Sequence, residues 1–360
     1  MTRNRIAFVE IVSLLCILLL SLSISGCAGQ PAPLPKEVED VDAGYAARQP
    51  VAVSRASSEG EELPVSLIPN LPSAAEAYFS PDGKSFICNA KVQPDDEVHH
   101  VYTANIDGSD VKRINVKGHD ACSYYYPSGD KLIWTSTRDY PDLPVGDWSV
   151  PTIYPQGAEL YTSDLDGSNV VRLTNNLTYD AEVSVSPNGQ WILFTRQIDG
   201  KLDLWKMRSD GSGEHQITFT DEWQEGGSFY MPDSETILYR AWLREHDESR
   251  AKPMTIYTIK HDGTDRRQIT FDDGTNWAPH PAPDGKHFVF VKVLPPHNFE
   301  IYLMNIETGR QTRVTQNDAF DGFPVMSPDG KTLMFSSSRG NKPGDRSLKL
   351  YLMDIGSLME

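Results

Sequence analysis

The sequence has few cysteines and few basic residues for its length. Its 360 residues include four cysteines, and 33 lysines and arginines are outnumbered by 50 aspartates and glutamates, which gives a formal net charge of −17. Nucleic-acid-binding surfaces need clustered positive charge, so this balance argues against a nucleic-acid partner. The sequence also lacks a phosphate loop, a dinucleotide fingerprint and a Cys-x-x-Cys pair, so we expect no required cofactor.

The longest apolar run lies at the amino terminus. Arg3 and Arg5 precede "IAFVEIVSLLCILLLSLSISGC", which is the layout of a secretory signal. Its end, "ISGC", resembles the bacterial lipobox, in which cleavage before the cysteine leaves a lipidated thiol. We predict a signal peptide over residues 1–26, lipidation of Cys27, and export to a periplasm-facing membrane or the cell surface. An uncleaved membrane anchor is the alternative.

Residues 27–62 are rich in proline, alanine, serine and glutamate and show no sustained periodicity, so they are predicted to form a flexible tether. Only Cys88 and Cys122 then remain in the folded domain. Export would permit a disulfide between them. Two buried thiols are favoured, because nothing in the sequence brings their Cα atoms within bridging distance.

One short motif recurs six times in residues 63–360, as "SPDGK", "YPSGDK", "SPNGQ", "MPDSET", "APDGK" and "SPDGK". The prolines of the six copies are Pro81, Pro127, Pro187, Pro232, Pro283 and Pro328. A second turn, such as "DLDGSN", follows each of the first five copies and supplies the positive φ of a tight hairpin. Two hairpins per repeat make four strands, and the spacing suits propeller blades. We predict an all-β, six-bladed β-propeller with four-stranded blades.

The last repeat ends too early to contain its own outermost strand. The stretch "VSLIPNLPSAAEAYFSPDG", which begins at Val65, matches "VRLTNNLTYDAEVSVSPNG", which begins at Val171, at one constant offset. Val171 stands where an outermost strand is expected. We therefore predict that the strand at Val65 completes the last blade and covers its exposed edge.

These repeats resemble the Pro-Asp-Gly propeller repeats of the TolB family, which also occur in the propeller domains of tricorn-type and prolyl-oligopeptidase-type peptidases. The resemblance covers Val65 to about Ile355 and implies the propeller fold. TolB itself has an additional α/β domain before its propeller, where this sequence has the predicted tether. The peptidases have a hydrolase domain, whereas no Gly-x-Ser-x-Gly elbow occurs in this sequence. The resemblance therefore implies neither activity, and we assign no catalytic residue.

A candidate site lies where each innermost strand begins, seven residues before each repeated proline. The residues at this position are Ala74, Asp120, Asp180, Glu225, Asn276 and Asp321. Four carboxylates converging on the channel mouth would attract a cation or a basic group, and calcium is conceivable there. These four carboxylates are preceded by residues that add donors and flat surfaces: His119, Tyr179, Gln224 and Phe320. The alternative is that these side chains only cap the loops that enter the strands.

A second candidate surface is the set of loops between the second and third strands of each blade, because only these vary much in length. Variable loops on one face of a rigid scaffold are common binding surfaces. Five aromatic residues are predicted to contact a ligand or partner there: Tyr140, Trp148, Tyr154, Trp242 and Trp277. The alternative is that these loops are exposed to solvent and have no binding role.

The sequence thus predicts a monomeric, lipid-anchored binding protein or scaffold of the cell envelope that holds a protein, peptide or glycan. A carbohydrate-active hydrolase or lyase at the channel mouth is the alternative, with the ring carboxylates as acid and base.

Overall fold

The computed structural model describes residues 62–249 and 252–359, and its regular structure is almost entirely β-strand. The strand before the first blade is β1 (Val65–Leu67), and blade 1 contains β2 (Ser73–Phe79), β3 (Ser85–Lys91), β4 (His100–Asn105) and β5 (Lys112–Arg113). Blade 2 contains β6 (Asp120–Tyr125), β7 (Lys131–Ser136), β8 (Glu159–Asp164) and β9 (Val171–Arg172). Blade 3 contains β10 (Tyr179–Val185), β11 (Trp191–Ile198), β12 (Lys201–Arg208) and β13 (His215–Gln216).

The remaining strands form three further blades. Blade 4 contains β14 (Trp223–Tyr230), β15 (Thr236–Leu243), β16 (Thr255–Lys260) and β17 (Arg267–Gln268). Blade 5 contains β18 (Asn276–Pro281), β19 (His287–Leu294), β20 (Asn298–Asn305) and β21 (Gln311–Arg313). Blade 6 contains β22 (Asp321–Met326), β23 (Thr332–Ser337) and β24 (Lys349–Asp354).

Each blade is an antiparallel four-stranded sheet. In blades 1–5 the strands follow chain order from the axis outwards, and in blade 6 the order is β22, β23, β24 and β1. The first strands of adjacent blades contact one another around the ring, including β22 with β2. Six such sheets in a closed ring confirm the predicted six-bladed β-propeller.

The repeated Pro-x-Gly turn is held by its own side chains. In blade 1 the Ser80 hydroxyl donates to Asp82 Oδ1 (2.7 Å) and accepts from the Ser85 N–H (3.0 Å). Gly83 has φ +69°, a conformation that a side chain disfavours. A Cβ built on Gly83 would lie 3.6 Å from the ring of Pro328, so the proline of blade 6 packs on the turn of blade 1. The motif therefore recurs because it forms the turn and also joins neighbouring blades.

The ring is closed by the amino-terminal strand, as predicted. β1 pairs with β24 through Val65 opposite Met353 and Leu67 opposite Tyr351. The Glu62 carboxylate adds an ion pair to Arg339, with Oε2–Nη1 and Oε1–Nη2 distances of 2.8 and 2.6 Å. Blade 6 is thus completed by strands from both ends of the described chain, which leaves its edge covered.

The two faces of the propeller differ in their connections. The turns between first and second strands and between third and fourth strands lie at one end, which we call the turn face. The connections between second and third strands lie at the other end, the variable face, and the longest of them is 137–158 in blade 2.

Apolar side chains fill the spaces between successive blades and make up the core. Phe86, Trp134, Phe194, Tyr239, Phe290 and Phe335, from the second strands of the six blades, are at most 1 % exposed. Cys88 and Cys122 are buried free thiols, as predicted. Among the described residues, no helix has the length and apolar character needed to cross a membrane. Residues 1–61 lie outside the described residues, so the signal peptide, the tether and lipidation of Cys27 stay predictions.

Candidate binding site in the central channel

The carboxylates predicted to ring the channel mouth are bound inside the blades instead. Asp180 is fully buried, and its two oxygens accept from Nε and Nη2 of Arg196 on β11, both at 2.7 Å. Asp321 is bound in the same way by Arg339, at 3.2 and 2.6 Å. The expectation of an open negative ring is therefore wrong, because cations of the blades themselves neutralise these groups.

Asp120 and Glu225 are also turned into the protein. Asp120 Oδ2 accepts from the Val101 N–H (3.0 Å), and Oδ1 accepts from Asn115 Nδ2 (2.6 Å). Glu225 is fully buried, with Arg266 Nη2 3.8 Å from its Oε1. Burial raises the pKa of Glu225 to about 7. Asp120 thus binds the backbone at the entrance of its blade, which was the alternative interpretation, whereas Glu225 is buried opposite Arg266.

The polar residues predicted beside the ring have similar structural roles. Asn276 Nδ2 donates to the Met254 carbonyl (3.1 Å). Gln224 is fully buried, and its Nε2 donates to the Gly200 carbonyl of blade 3 (3.0 Å) and to Asp247 Oδ2 of its own blade (2.8 Å). The His119 side chain stays partly exposed, and burial lowers its pKa. Of the predicted channel residues, His119 is the one that a ligand could reach most easily.

A different ring lines the channel, two residues further along each innermost strand. Each of these strands contains a β-bulge, seen as a shift in its pairing with the second strand. The bulged residues all have positive φ, between 44° and 56°, and all line one cavity. We call Glu76, Cys122, Glu182, Gly227, Ala278 and Phe323 the bulge ring. The bulges direct these six residues at the axis and turn the ring predicted from the sequence away from it.

One side of the bulge ring holds an ion pair that needs two glycines. Arg240 on β15 extends into the channel, where its Nη2 donates to Glu182 Oε1 at 2.5 Å. Glu182 Oε2 accepts from the Gly227 N–H (2.7 Å). A Cβ on Gly227 would lie 1.7 Å from Arg240 Nη1, and a Cβ on Gly226 would lie 2.1 Å from Glu182 Oε2. The Gly-Gly sequence therefore provides the space in which the pair forms.

Glu76 is the other carboxylate of the bulge ring. Its Oε2 accepts from Asn89 Nδ2 (2.8 Å) and from the Cys122 N–H (3.4 Å). No lysine, arginine or histidine within the described residues forms an ion pair with it. Burial is the main cause that raises the pKa of Glu76 to about 7, and the nearby Glu182 raises it further. The channel thus contains a carboxylate that changes charge near neutral pH.

Aromatic side chains close the channel towards the turn face. Tyr78 lies 5.2 Å from Tyr124 and 5.6 Å from Phe229, measured between ring centroids. His280 lies 4.9 Å from Phe229, and burial lowers its pKa to about 3, so it is neutral at physiological pH. These residues stand two positions beyond the bulge ring and form a floor. The cavity above them opens towards the variable face.

Aromatic residues also surround the mouth of the cavity. Trp277 lies 4.7 Å from Phe323 and 6.3 Å from Phe320. Tyr154 stacks on Tyr179 at 4.1 Å. Four of the five aromatic residues predicted from the loops, Trp148, Tyr154, Trp242 and Trp277, pack with the cluster around Cys122 and Tyr179.

The fifth, Tyr140, lies apart and bonds Asn175 through its hydroxyl (3.0 Å). Trp242 is 2 % exposed, and its Nε1 donates to Asp247. It therefore packs inside the protein next to residues that line the cavity. The five aromatic residues therefore do not form one continuous surface. Trp277 lines the cavity, Trp148 and Tyr154 remain partly exposed nearby, and Trp242 and Tyr140 have structural partners.

The cavity is small and offers few ligands to a metal ion. The space open to the centres of water molecules is ≈ 60 Å³, which corresponds to about five waters. No group of three or more histidine, cysteine, aspartate or glutamate side chains among the described residues is placed to hold a metal. Calcium prefers six to eight oxygens, whereas the cavity offers Glu76 and a Glu182 already bound by Arg240. These residues do not fit calcium well.

Sequence reasoning missed the bulge ring although its spacing is regular. Its members stand five residues before each repeated proline, but they share neither charge nor polarity. The six residue types give no compositional signal, and the bulge that exposes them depends on strand pairing. The constant spacing of five residues before each repeated proline is the sequence signal that could have identified the bulge ring.

Comparison with known proteins supports the fold. A family model described as a TolB beta propeller domain matches residues 248–357. A protein of Agrobacterium fabrum without an assigned function is 27% identical over 150 residues, which cover 40% of this chain and 50% of that protein. A TolB homolog of Chlorobaculum tepidum is 31% identical over 121 residues, which cover 32% of this chain and 25% of that protein. The chain spans half or less of the length of these relatives.

Solved structures share the architecture at low sequence identity. A putative TolB from Agrobacterium tumefaciens has a TM-score of 0.56 at 18% identity, covering 82% of this chain and 99% of that one. An oligogalacturonate lyase in complex with manganese has a TM-score of 0.57 at 16% identity, covering 85% and 96%. Structural similarity at this level of sequence identity shows the fold alone, so the function has to be argued from the residues of the site.

Proposed function

Because the described chain is a TolB-like six-bladed β-propeller, we propose that the protein is a binding scaffold of the cell envelope. It holds a protein, peptide or glycan partner over the open mouth of its channel. The observation that carries this proposal is the blind cavity above the aromatic floor, which opens on the same face as the long loop 137–158.

The chemistry of the mouth suits a partner with both apolar and polar groups. Trp277, Phe320 and Phe323 supply apolar surface on one side, and Glu76 with the Glu182–Arg240 pair supplies charge on the other. Aromatic rings bind with little loss of side-chain entropy, and an arginine beside them is typical of binding hot spots. We also propose that the protein is exported, that a lipid on Cys27 anchors it, and that it is a monomer.

A retention experiment with matched variants tests the scaffold. Immobilised wild type, Phe320→Ala and Leu165→Ala are exposed to envelope extract from the source cells. Leu165 is 44% exposed in a hairpin of the turn face, so it controls for the loss of a surface apolar side chain. We expect a partner retained by wild type and Leu165→Ala but lost from Phe320→Ala. Equal retention by all three proteins would overturn the placement of the site.

Calcium is tested in the same preparation. We include thermal melts with and without calcium, because the channel was predicted to bind it. The poor fit of the cavity to calcium leads us to expect no stabilisation. A rise in the melting temperature that Glu76→Gln abolishes would instead place calcium in the channel.

A second candidate function is hydrolysis or lysis of a carbohydrate. Two carboxylates, Glu76 and Glu182, share a cavity with aromatic rings, which is the general composition of a glycosidic site. The fold likeness to an oligogalacturonate lyase is a further reason to test it. Wild type and Glu76→Gln are incubated with a panel of neutral and acidic glycans. Product formed by wild type and lost in the variant would favour the enzyme, and no product from any glycan would favour the scaffold.

A further inference from the structure

The charges in the channel are unbalanced. Glu76, Glu182 and Arg240 are the charged side chains that line the cavity, and Arg240 is committed to Glu182. The other titratable groups facing it are neutral near pH 7: His280 has a lowered pKa, and burial raises the pKa of both Cys122 and Tyr78. Burial raises the pKa of Glu76, and the guanidinium of Arg240 acts on it across the cavity and offsets part of this rise. That guanidinium is bound to Glu182, however, so the ionised Glu76 has no ion-pair partner among the described residues. This arrangement favours a positively charged guest.

Arg240 has a donor that the described residues do not use. The residue is 8 % exposed, and its Nε–H has no acceptor. A buried donor without a partner is costly. Because Nε is enclosed by protein atoms, a guest could supply its acceptor only after a shift of the Arg240 side chain. The cavity is thus lined by a carboxylate and by an arginine that keeps one unused donor.

The size of the cavity limits what can enter. Space for about five waters accommodates one end of a chain, and the floor of Tyr78, Phe229 and His280 prevents the chain from passing through. On the remaining side, Trp277 and Phe323 offer ring surface that attracts a cation and packs with an apolar group.

We infer that this cavity binds the amino terminus of a peptide, with Glu76 as the counter-ion of the terminal ammonium and Arg240 Nε donating to the first carbonyl oxygen. The inference rests on the proposed function and specifies the partner's chemistry. A carboxyl terminus would be repelled by both carboxylates. A neutral saccharide would leave the charge of Glu76 uncompensated. The ammonium group of a lysine side chain could pair with Glu76. A lysine side chain has no carbonyl oxygen close to its ammonium group, however, so it would offer no acceptor to Arg240 Nε.

Binding of three short peptides to the whole chain tests the inference. The probes are Ala-Ala-Ala amide with a free terminus, the same peptide acetylated, and acetyl-Lys-Ala-Ala amide, each titrated by calorimetry or NMR at pH 7.5. The proteins are wild type, Glu76→Gln and the matched control Glu97→Gln, which removes one charge from an exposed position of the same blade. We expect the free terminus to bind wild type and Glu97→Gln, and acetylation or Glu76→Gln to weaken binding about tenfold or more.

The outcomes separate this inference from the proposed function. Equal binding of the free and acetylated peptides, or no binding of the free terminus, would overturn the inference. Stronger binding of the acetylated lysine peptide would also overturn it, by assigning the ammonium to a side chain. In each of these cases the loss of partner retention in Phe320→Ala would still stand as support for the scaffold. Because acetylation alters only the ligand, that comparison holds even if a variant folds poorly.

Discussion

Replacing Glu76 with glutamine should stabilise the unliganded protein, and more so as the pH rises. The pKa of Glu76 is raised from 4.5 to about 7, mainly by burial. The folded state therefore binds this proton more tightly than the unfolded state does. Its contribution to the free energy of unfolding is greatest below pH 4.5 and falls as the pH rises to 7. Integrated over that window, the ionisation costs wild type about 3 kcal/mol.

Glutamine is uncharged and nearly the same shape as the protonated acid, so the variant avoids this cost. The stability difference between Glu76→Gln and wild type should grow by about 2–3 kcal/mol between pH 5 and pH 8. Urea unfolding of both proteins at several pH values, followed by circular dichroism, measures the difference. Glu97→Gln is the control and should track wild type throughout. A difference that stays constant with pH would refute the proposal that Glu76 is an uncompensated carboxylate.

Four further predictions concern closure, anchoring, the channel and its ligand. Deleting residues 62–71 removes β1 and should lower the melting temperature by about 10 °C. Deletion of residues 31–58, which lie outside the described residues, should change the melting temperature little. Equal effects of the two deletions would contradict the closure of blade 6 by β1. Cys27→Ser should abolish lipid-dependent partitioning into detergent, and an unlipidated mature terminus in wild type would contradict the anchor. Gly227→Ala should cost about 2–4 kcal/mol in urea unfolding, because its Cβ would displace the channel guanidinium; an unchanged midpoint would count against the ion pair. Calorimetry should show free-terminus binding strongest between about pH 7 and 8, since Glu76 protonates below this range and the terminal amine loses its proton above it; a flat profile would argue against this pairing.

The fold could be predicted because its signals are local and repeated. The Pro-x-Gly turn, the Asp-Gly hairpins and their spacing each report backbone conformation within a few residues. The strand at Val65 could be placed in blade 6 because its sequence aligns with that of β9 at Val171. The observed pairing of Val65 with Met353 confirms that placement.

The site could not be predicted to the same degree because it depends on pairing between strands. The bulges shift the channel-facing position by two residues, from the predicted Asp180 to Glu182. Arg196, which neutralises Asp180, comes from the next strand and sits 16 residues away in sequence. Arg240 reaches the channel from blade 4 through space left by Gly227. No local pattern encodes these contacts, since each requires the register of two strands.

The central claim is that the variable-face mouth of the channel holds the partner. Its most direct test is photo-crosslinking in the source cells, with a benzophenone side chain introduced at position 320 on the mouth or at position 165 on the turn face. The account predicts a defined crosslinked species from position 320 and none from position 165. Crosslinks from position 165 alone, or none from position 320, would contradict it.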